Sequence, residues 1–129
     1  MPSMKILLIA GGWSSEREVS LTGARGMQEA LLKRGHAVTF FDLLENFDEL
    51  LETARQHDFA LINLHGSPGE DGLVQAMLEK AGCPYQGSGP SGSFLALNKA
   101  AAKQIFRMAG LPTADWEFLP VRPAEGWEP

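Results

Sequence analysis

Three stretches of the 129-residue chain hold side chains whose types and spacing could do chemistry. WSSEREVS, residues 13–20, follows an apolar run that ends in two glycines. A strand-to-helix turn points backbone N–H groups outward and favours anionic ligands, yet this one is filled with carboxylates, which would repel a phosphate. Ser15 and Glu18 have the spacing of a capping box, with Ser15 as N-cap and Glu18 at N3, which assigns Glu18 a structural task. Glu16 is then left at the first helical position, near the positive end of the helix dipole, where the ionised carboxylate is favoured. Such an anion suits a small cation, and the ammonium of an amino acid is one. The alternative is that Glu16 only complements the dipole.

LHGSPGEDG, residues 64–72, follows another apolar run. His65 ends that run, at the carboxyl end of a strand, where open α/β sheets place their sites. Glycines 66, 69 and 72 let the backbone approach a ligand closely. Glu70 and Asp71 precede a helix and read foremost as first-turn and capping acids. In QGSGPSGSFLALNK, residues 86–99, Gly87 and Gly92 have P-loop spacing, but Ser93 stands where the phosphate-binding lysine must be. Lys99 lies farther on and could meet a phosphate as a point charge. Asp42 is placed like the acid that holds a ribose hydroxyl in dinucleotide sites, but the first turn lacks G-x-G-x-x-G, and its tryptophan and acids would crowd a pyrophosphate.

The elements that must position these residues alternate short apolar runs with amphipathic stretches, the pattern of a parallel sheet with crossover helices. Strands are predicted over 5–10, 37–42 and 59–64. Helices are predicted over 16–34, with Val19, Gly23, Met27, Ala30 and Leu31 on one side, over 47–56, over 73–80, and over 94–108 with an interruption near Asn98. Residues 113–120 read as an edge strand, and 117–129, with its prolines and glutamates, as the start of a linker after a domain spanning 1–116. The fold expected is a three-layer α/β/α Rossmann-like domain with a small parallel sheet.

A net charge of −5 and the absence of any basic cluster argue against nucleic acid, whose binding rests on Lys and Arg. The apolar run ILLIA is too short for a signal-peptide core or a membrane span, so a cytoplasmic protein is expected. The single cysteine, Cys83, cannot form an internal disulfide, and no Cys/His set has metal-ligand spacing, so no metal site is expected in this chain.

AGGWSSEREVSLTGA, followed by LHGSPGEDGLVQAMLEKAGCPYQGSGPSGSFLALNKAAAKQIFRMAGLPT, resembles the N-terminal part of the bacterial D-alanine–D-alanine ligase family, from Lys5 to about Trp116. The resemblance implies the pre-ATP-grasp domain of an ATP-dependent, Mg²⁺-requiring ligase that joins two D-alanines for peptidoglycan synthesis, commonly as a homodimer. It implies that Glu16 binds the first D-alanine's ammonium, that Val19 lines that subsite, that His65 approaches the reacting carboxylate and that Lys99 contributes to the ATP site. Where the family has Asp before that lysine, this chain has Asn98. The ATP-grasp domain that would hold ATP, Mg²⁺ and the second substrate has no counterpart here, so the isolated chain is expected to be inactive. A freestanding small-ligand or nucleotide-binding module and a dinucleotide-dependent oxidoreductase domain are the other readings, and D-lactate or D-serine stays open as second substrate.

Overall fold

A computed structural model describes residues 2–121. Three parallel strands, β1 (Lys5–Ala10), β2 (Ala37–Asp42) and β3 (Phe59–Asn63), form one sheet in the order β2-β1-β3. β1 is central, and its run of apolar residues is buried from Ile6 to Ala10, as a strand covered on both faces requires. The pleat sends alternate side chains to opposite faces. Leu8 and Ala10 pack with Ala24 of α1 (Arg17–Lys33), while Leu7 and Ile9 join Leu50 and Ala54 of α3 (Leu50–Ala54) and Val74 and Leu78 of α4 (Leu73–Ala81). The result is the expected α/β architecture, with helices on both sides of the sheet.

α1 begins at Arg17 and ends at Lys33, just before Gly35, whose φ of 82° is open to glycine at little cost. Its buried face is not the predicted one. Ser20 and Ala24 are fully buried, whereas Val19 is 60% exposed and Met27 also faces solvent. Small residues let α1 lie close on the sheet. A Cβ on Gly23 would stand only 3.0 Å from the Asn63 amide nitrogen.

The single helix predicted over 47–56 is instead a broken path. α2 (Leu43–Asn46) starts directly after β2, because the Asp42 carboxylate accepts the Leu44 N–H at 3.1 Å and caps it. One 3₁₀ turn, Phe47–Glu49, then leads into α3. The interruption predicted at Asn98 separates α5 (Pro90–Leu97) from α6 (Lys99–Met108), and the Asn98 side chain caps α6 by accepting the Ala101 N–H at 3.1 Å. Residues 113–120 form no strand. They return along α6, where Lys103 Nζ donates to Ala114 O at 3.1 Å and the Arg107 guanidinium lies 5.4 Å from the Trp116 ring centroid. Residues 122–129 of the expected linker lie outside the described residues. Among those described, no helix is long and apolar enough to cross a membrane.

Candidate functional site

In the order β2-β1-β3 the chain leaves β1 toward one face, into α1, and leaves the neighbouring β3 toward the other, into α4. Adjacent strands whose connections diverge open a crevice beyond their carboxyl ends, where open α/β sheets take ligands. Glu16 follows β1 and His65 follows β3, so the sheet places their two turns on either side of this crevice. The turns pack together: a Cβ on Gly66 would lie 3.3 Å from Ser14 Cβ, and one on Gly12 would lie 3.4 Å from Leu64 Cδ2.

The first turn is held by bonds that the capping arithmetic did not foresee. No Ser15–Glu18 capping box forms. Ser14, not Ser15, turns its hydroxyl to the backbone, accepting the Glu16 N–H at 3.2 Å, because the helix starts at Arg17 and puts Glu16 at the N-cap position. The Glu16 and Glu18 side chains both stand exposed without a hydrogen bond to the described residues. Arg17 reaches across to Asp42 with two bonds, 2.7 and 2.5 Å, and also donates to Gly12 O at 3.2 Å. The guanidinium hydrogen bonds hold the Asp42 carboxyl below its ordinary pKa, against partial desolvation, and the Leu44 N–H adds to the effect. Asp42 is therefore engaged and does not stand ready for a ribose hydroxyl. Gly11, with φ 78°, sits under this pair: a Cβ there would come within 2.5 Å of both Arg17 Nη1 and Asp42 Oδ1.

The second turn is held by its own acids. Glu70 accepts the Gly66 N–H at 2.9 Å, and Asp71 accepts the Leu73 N–H at 3.0 Å and the Ser67 hydroxyl. Gln75, buried in α4, donates to Gly69 O at 2.6 Å, while its Oε1 has no partner among the described residues. His65 is half-buried, and no hydrogen bond to the described residues engages its ring.

Val19 lies about one helical turn beyond Glu16 on the exposed side of α1, and Lys99 shares a cavity with the second turn. Val19 belongs to an open groove on α1 with Glu18, Thr22 and Gly23. Lys99 is exposed at the start of α6 and lines a cavity of about 450 Å³ with Glu70, Gln75, Gln86 and Ser88. Ser93 donates its hydroxyl to Ser88 O at 3.3 Å, closing the 87–93 segment on itself. Among the described residues no three His, Cys, Asp or Glu side chains gather as a metal-binding group would. Burial pushes the Cys83 thiol above its ordinary pKa, which fits a packing residue rather than a nucleophile.

Sequence reasoning missed Arg17, Ser20, Asp42 as an ion-pair partner, Asn63 and Gln75. The register of β1 against β2 pairs Ala10 with Asp42 and so brings the Arg17–Asp42 pair within reach, a signal that appears only once strand order is known.

These features define a switch-point α/β domain presenting one acid and one imidazole from neighbouring strand ends. The comparisons with known proteins narrow this further. The D-alanine–D-alanine ligase of Desulfovibrio desulfuricans is 76% identical over 126 residues, covering 98% of this chain and 41% of that protein. That of Nitratidesulfovibrio vulgaris strain Hildenborough is 70% identical, covering 98% and 42%. The crystal structure of the Bacillus anthracis D-alanine–D-alanine ligase complexed with ATP superposes with a TM-score of 0.83 at 38% identity, covering 96% of this chain and 43% of that one. No family model matches. The chain belongs to the D-alanine–D-alanine ligase family and corresponds to its N-terminal part. It spans about two-fifths of the length of the curated relatives it matches.

Proposed function

We propose that this chain is the first-substrate portion of an ATP-dependent ligase that joins two D-alanines. The observation that carries the reading is the pairing of Glu16 and His65 on touching turns at one switch point. An α-amino acid bound there would set its ammonium against the Glu16 carboxylate and its own carboxylate toward His65. In the reaction a carboxylate oxygen of the first D-alanine attacks the γ-phosphoryl group of ATP, releasing ADP and leaving an acyl phosphate. The amine of the second D-alanine then attacks the acyl carbon, phosphate departs with the former carboxylate oxygen, and the nitrogen loses a proton. The His65 ring, as imidazolium or as N–H donor, offsets negative charge as the acyl phosphate forms, a stabilisation that grows toward the transition state. Val19 lines the same subsite and Lys99 meets ATP. Mg²⁺, held by carboxylates of the longer polypeptide, would neutralise charge on the transferring phosphoryl group.

A longer polypeptide supplies the rest. α5 and α6 expose Phe94 (61%) and Met108 (79%), along with Ile105 and Phe106. Large apolar side chains exposed in such number on two adjoining helices call for a cover. The relatives carry more than half their length beyond what this chain matches, and an ATP-grasp portion in that length is the cover proposed. The complete enzyme works in the cytoplasm as a homodimer.

The deciding experiment replaces Glu16 and Glu18 singly by Gln in the longer ligase. Glu16→Gln removes the charge opposite the ammonium and should raise KM for the first D-alanine, while Glu18→Gln should leave it within about twofold, as for a surface substitution. The reverse order would reject the assignment. The 129-residue chain alone should release no phosphate from ATP when D-alanine is added.

A further inference from the structure

Ser20 is a polar residue placed where a core would ordinarily be apolar. It is fully buried on the face of α1 that meets the sheet. Its hydroxyl accepts the Gly11 N–H at 2.8 Å and donates to the Asn63 carbonyl, and the Asn63 side-chain amide returns a bond to Ser20 O at 2.7 Å. One side chain thus joins the residue following β1 to the last residue of β3. The same residue closes the first turn of α1, its N–H donating to Glu16 O at 3.1 Å. Gly11 lies five positions before Glu16, and Asn63 two before His65. Beside the β1–β3 pairing, which ends at Ala10 and Asn63, this hydroxyl is thus a direct side-chain link between the turn bearing Glu16 and the strand end bearing His65.

Apolar packing alone would hold α1 on the sheet but would not fix its sliding along the strand ends, because hydrophobic attraction has no direction. Hydrogen bonds do have direction, and a buried donor and acceptor left without partners are heavily penalised. We infer that Ser20 is a positioning residue for the amino-acid subsite, setting the separation between the Glu16 carboxylate and the His65 ring. An α-amino acid keeps its ammonium and carboxylate one carbon apart, so both groups are met only at one spacing of the two turns. A misplacement of about 1 Å at such a site reduces rate by up to about a hundredfold. This inference rests on the proposed ammonium-binding role of Glu16 and goes beyond it by naming what holds that residue in register.

The test is a double-mutant cycle in the longer ligase, with Ser20→Ala, Glu16→Gln and the pair, reading kcat/KM for the first amino acid and the melting temperature of each. Ser20→Ala should lower kcat/KM by roughly ten- to a hundredfold, mainly through KM, in the parent enzyme. In the Glu16→Gln background it should lower kcat/KM by less than about threefold, because the residue it positions has already lost its charge. The fall in melting temperature should be the same in both backgrounds. Val74→Ala, in the core on the opposite face, should lose comparable stability without the KM change. If Ser20→Ala does not fold, Ser20→Cys, which retains a weak donor and acceptor, enters the same cycle. Equal losses of kcat/KM in the two backgrounds would show that Ser20 only holds the fold. If Glu16→Gln by itself leaves kcat/KM unchanged, the ammonium assignment fails and this inference falls with it, an outcome distinct from additivity.

Discussion

Gly69→Ala is a direct test of how the 64–72 turn is built. Gly69 has no positive φ, so conformational strain is not at stake; space is. A Cβ at 69 would fall closer than 3.0 Å to Leu64 Cβ, 3.2 Å from Leu64 Cδ1 and 3.3 Å from Leu64 Cα. Carbon pairs are comfortable at roughly 3.5–4.0 Å, so the turn must lift from the end of β3 by more than about half an ångström. Such overpacking costs about 1–3 kcal/mol, at the upper end here because Leu64 is buried and backbone rather than a free side-chain tip must yield. The stiffer unfolded chain returns about 0.4–1 kcal/mol. The net loss of about 2 kcal/mol, against an unfolding entropy of roughly 0.27 kcal/mol/K for a chain of 129 residues, lowers the melting temperature by about 7 °C. Thermal unfolding followed by circular dichroism reads this directly. Leu64→Ala removes Cδ1 but retains the offending Cβ and Cα, so it should relieve the loss only in part, and the double variant should remain less stable than Leu64→Ala alone. An unchanged melting temperature for Gly69→Ala, or a double variant no less stable than Leu64→Ala alone, would refute the steric account.

Three further perturbations separate charge, cap and chemistry. Asp42→Asn removes a carboxylate whose pKa lies below its ordinary 3.8 in the folded chain, so the stability it contributes is complete above that value and disappears as pH falls through the lowered one. Urea midpoints of variant and parent should therefore differ at pH 7 and converge as the pH is taken below 3.8, and a constant difference would reject the ion-pair account. Asn98→Ala should cost α6 about 1 kcal/mol by losing its cap, whereas Asn98→Asp keeps the acceptor and adds about 0.3–1 kcal/mol from the helix dipole. Amide exchange across α6 should speed up in the first and slow in the second. His65→Ala in the longer ligase should cut turnover while moving the melting temperature by no more than about 2 °C, since no hydrogen bond to the described residues is lost; a large thermal loss with normal turnover would make it a packing residue.

The strands were legible because each is an apolar run bounded by a turn signal, and both β1 and β2 begin and end where predicted. β3 stops one residue early, at Asn63, whose carbonyl takes the Ser20 hydroxyl while Leu64 begins the turn. α1 was found within a residue at each end, yet its buried stripe was misread. Hydrophobicity marked Val19 and Met27, but the face that meets the sheet is fixed by the small residues Ser20 and Ala24 and by hydrogen bonds that a periodicity count cannot register. The capping box failed for a related reason. Two serines adjoin, and only the helix start at Arg17, itself drawn across to Asp42, decides which one faces the backbone.

The same accounting separates structural from chemical candidates more sharply than the sequence could. A crevice between diverging strand ends leaves backbone groups that water or side chains must satisfy. Ser14, Ser20, Glu70, Asp71 and Gln75 each spend a polar group on a nearby backbone N–H or carbonyl, and Asp42 spends its carboxylate on Arg17 and Leu44. Glu70 and Asp71, whose place before a helix marked them as first-turn and capping acids, are bound into the turn that carries His65. Glu16 and His65 are engaged by no such bond among the described residues, and each stands within two residues of a neighbour that is, so their turns are held while their side chains are not. A held backbone with an uncommitted functional group is the arrangement that binding a small zwitterion requires, because the group can then meet its ligand without first breaking a bond within the protein.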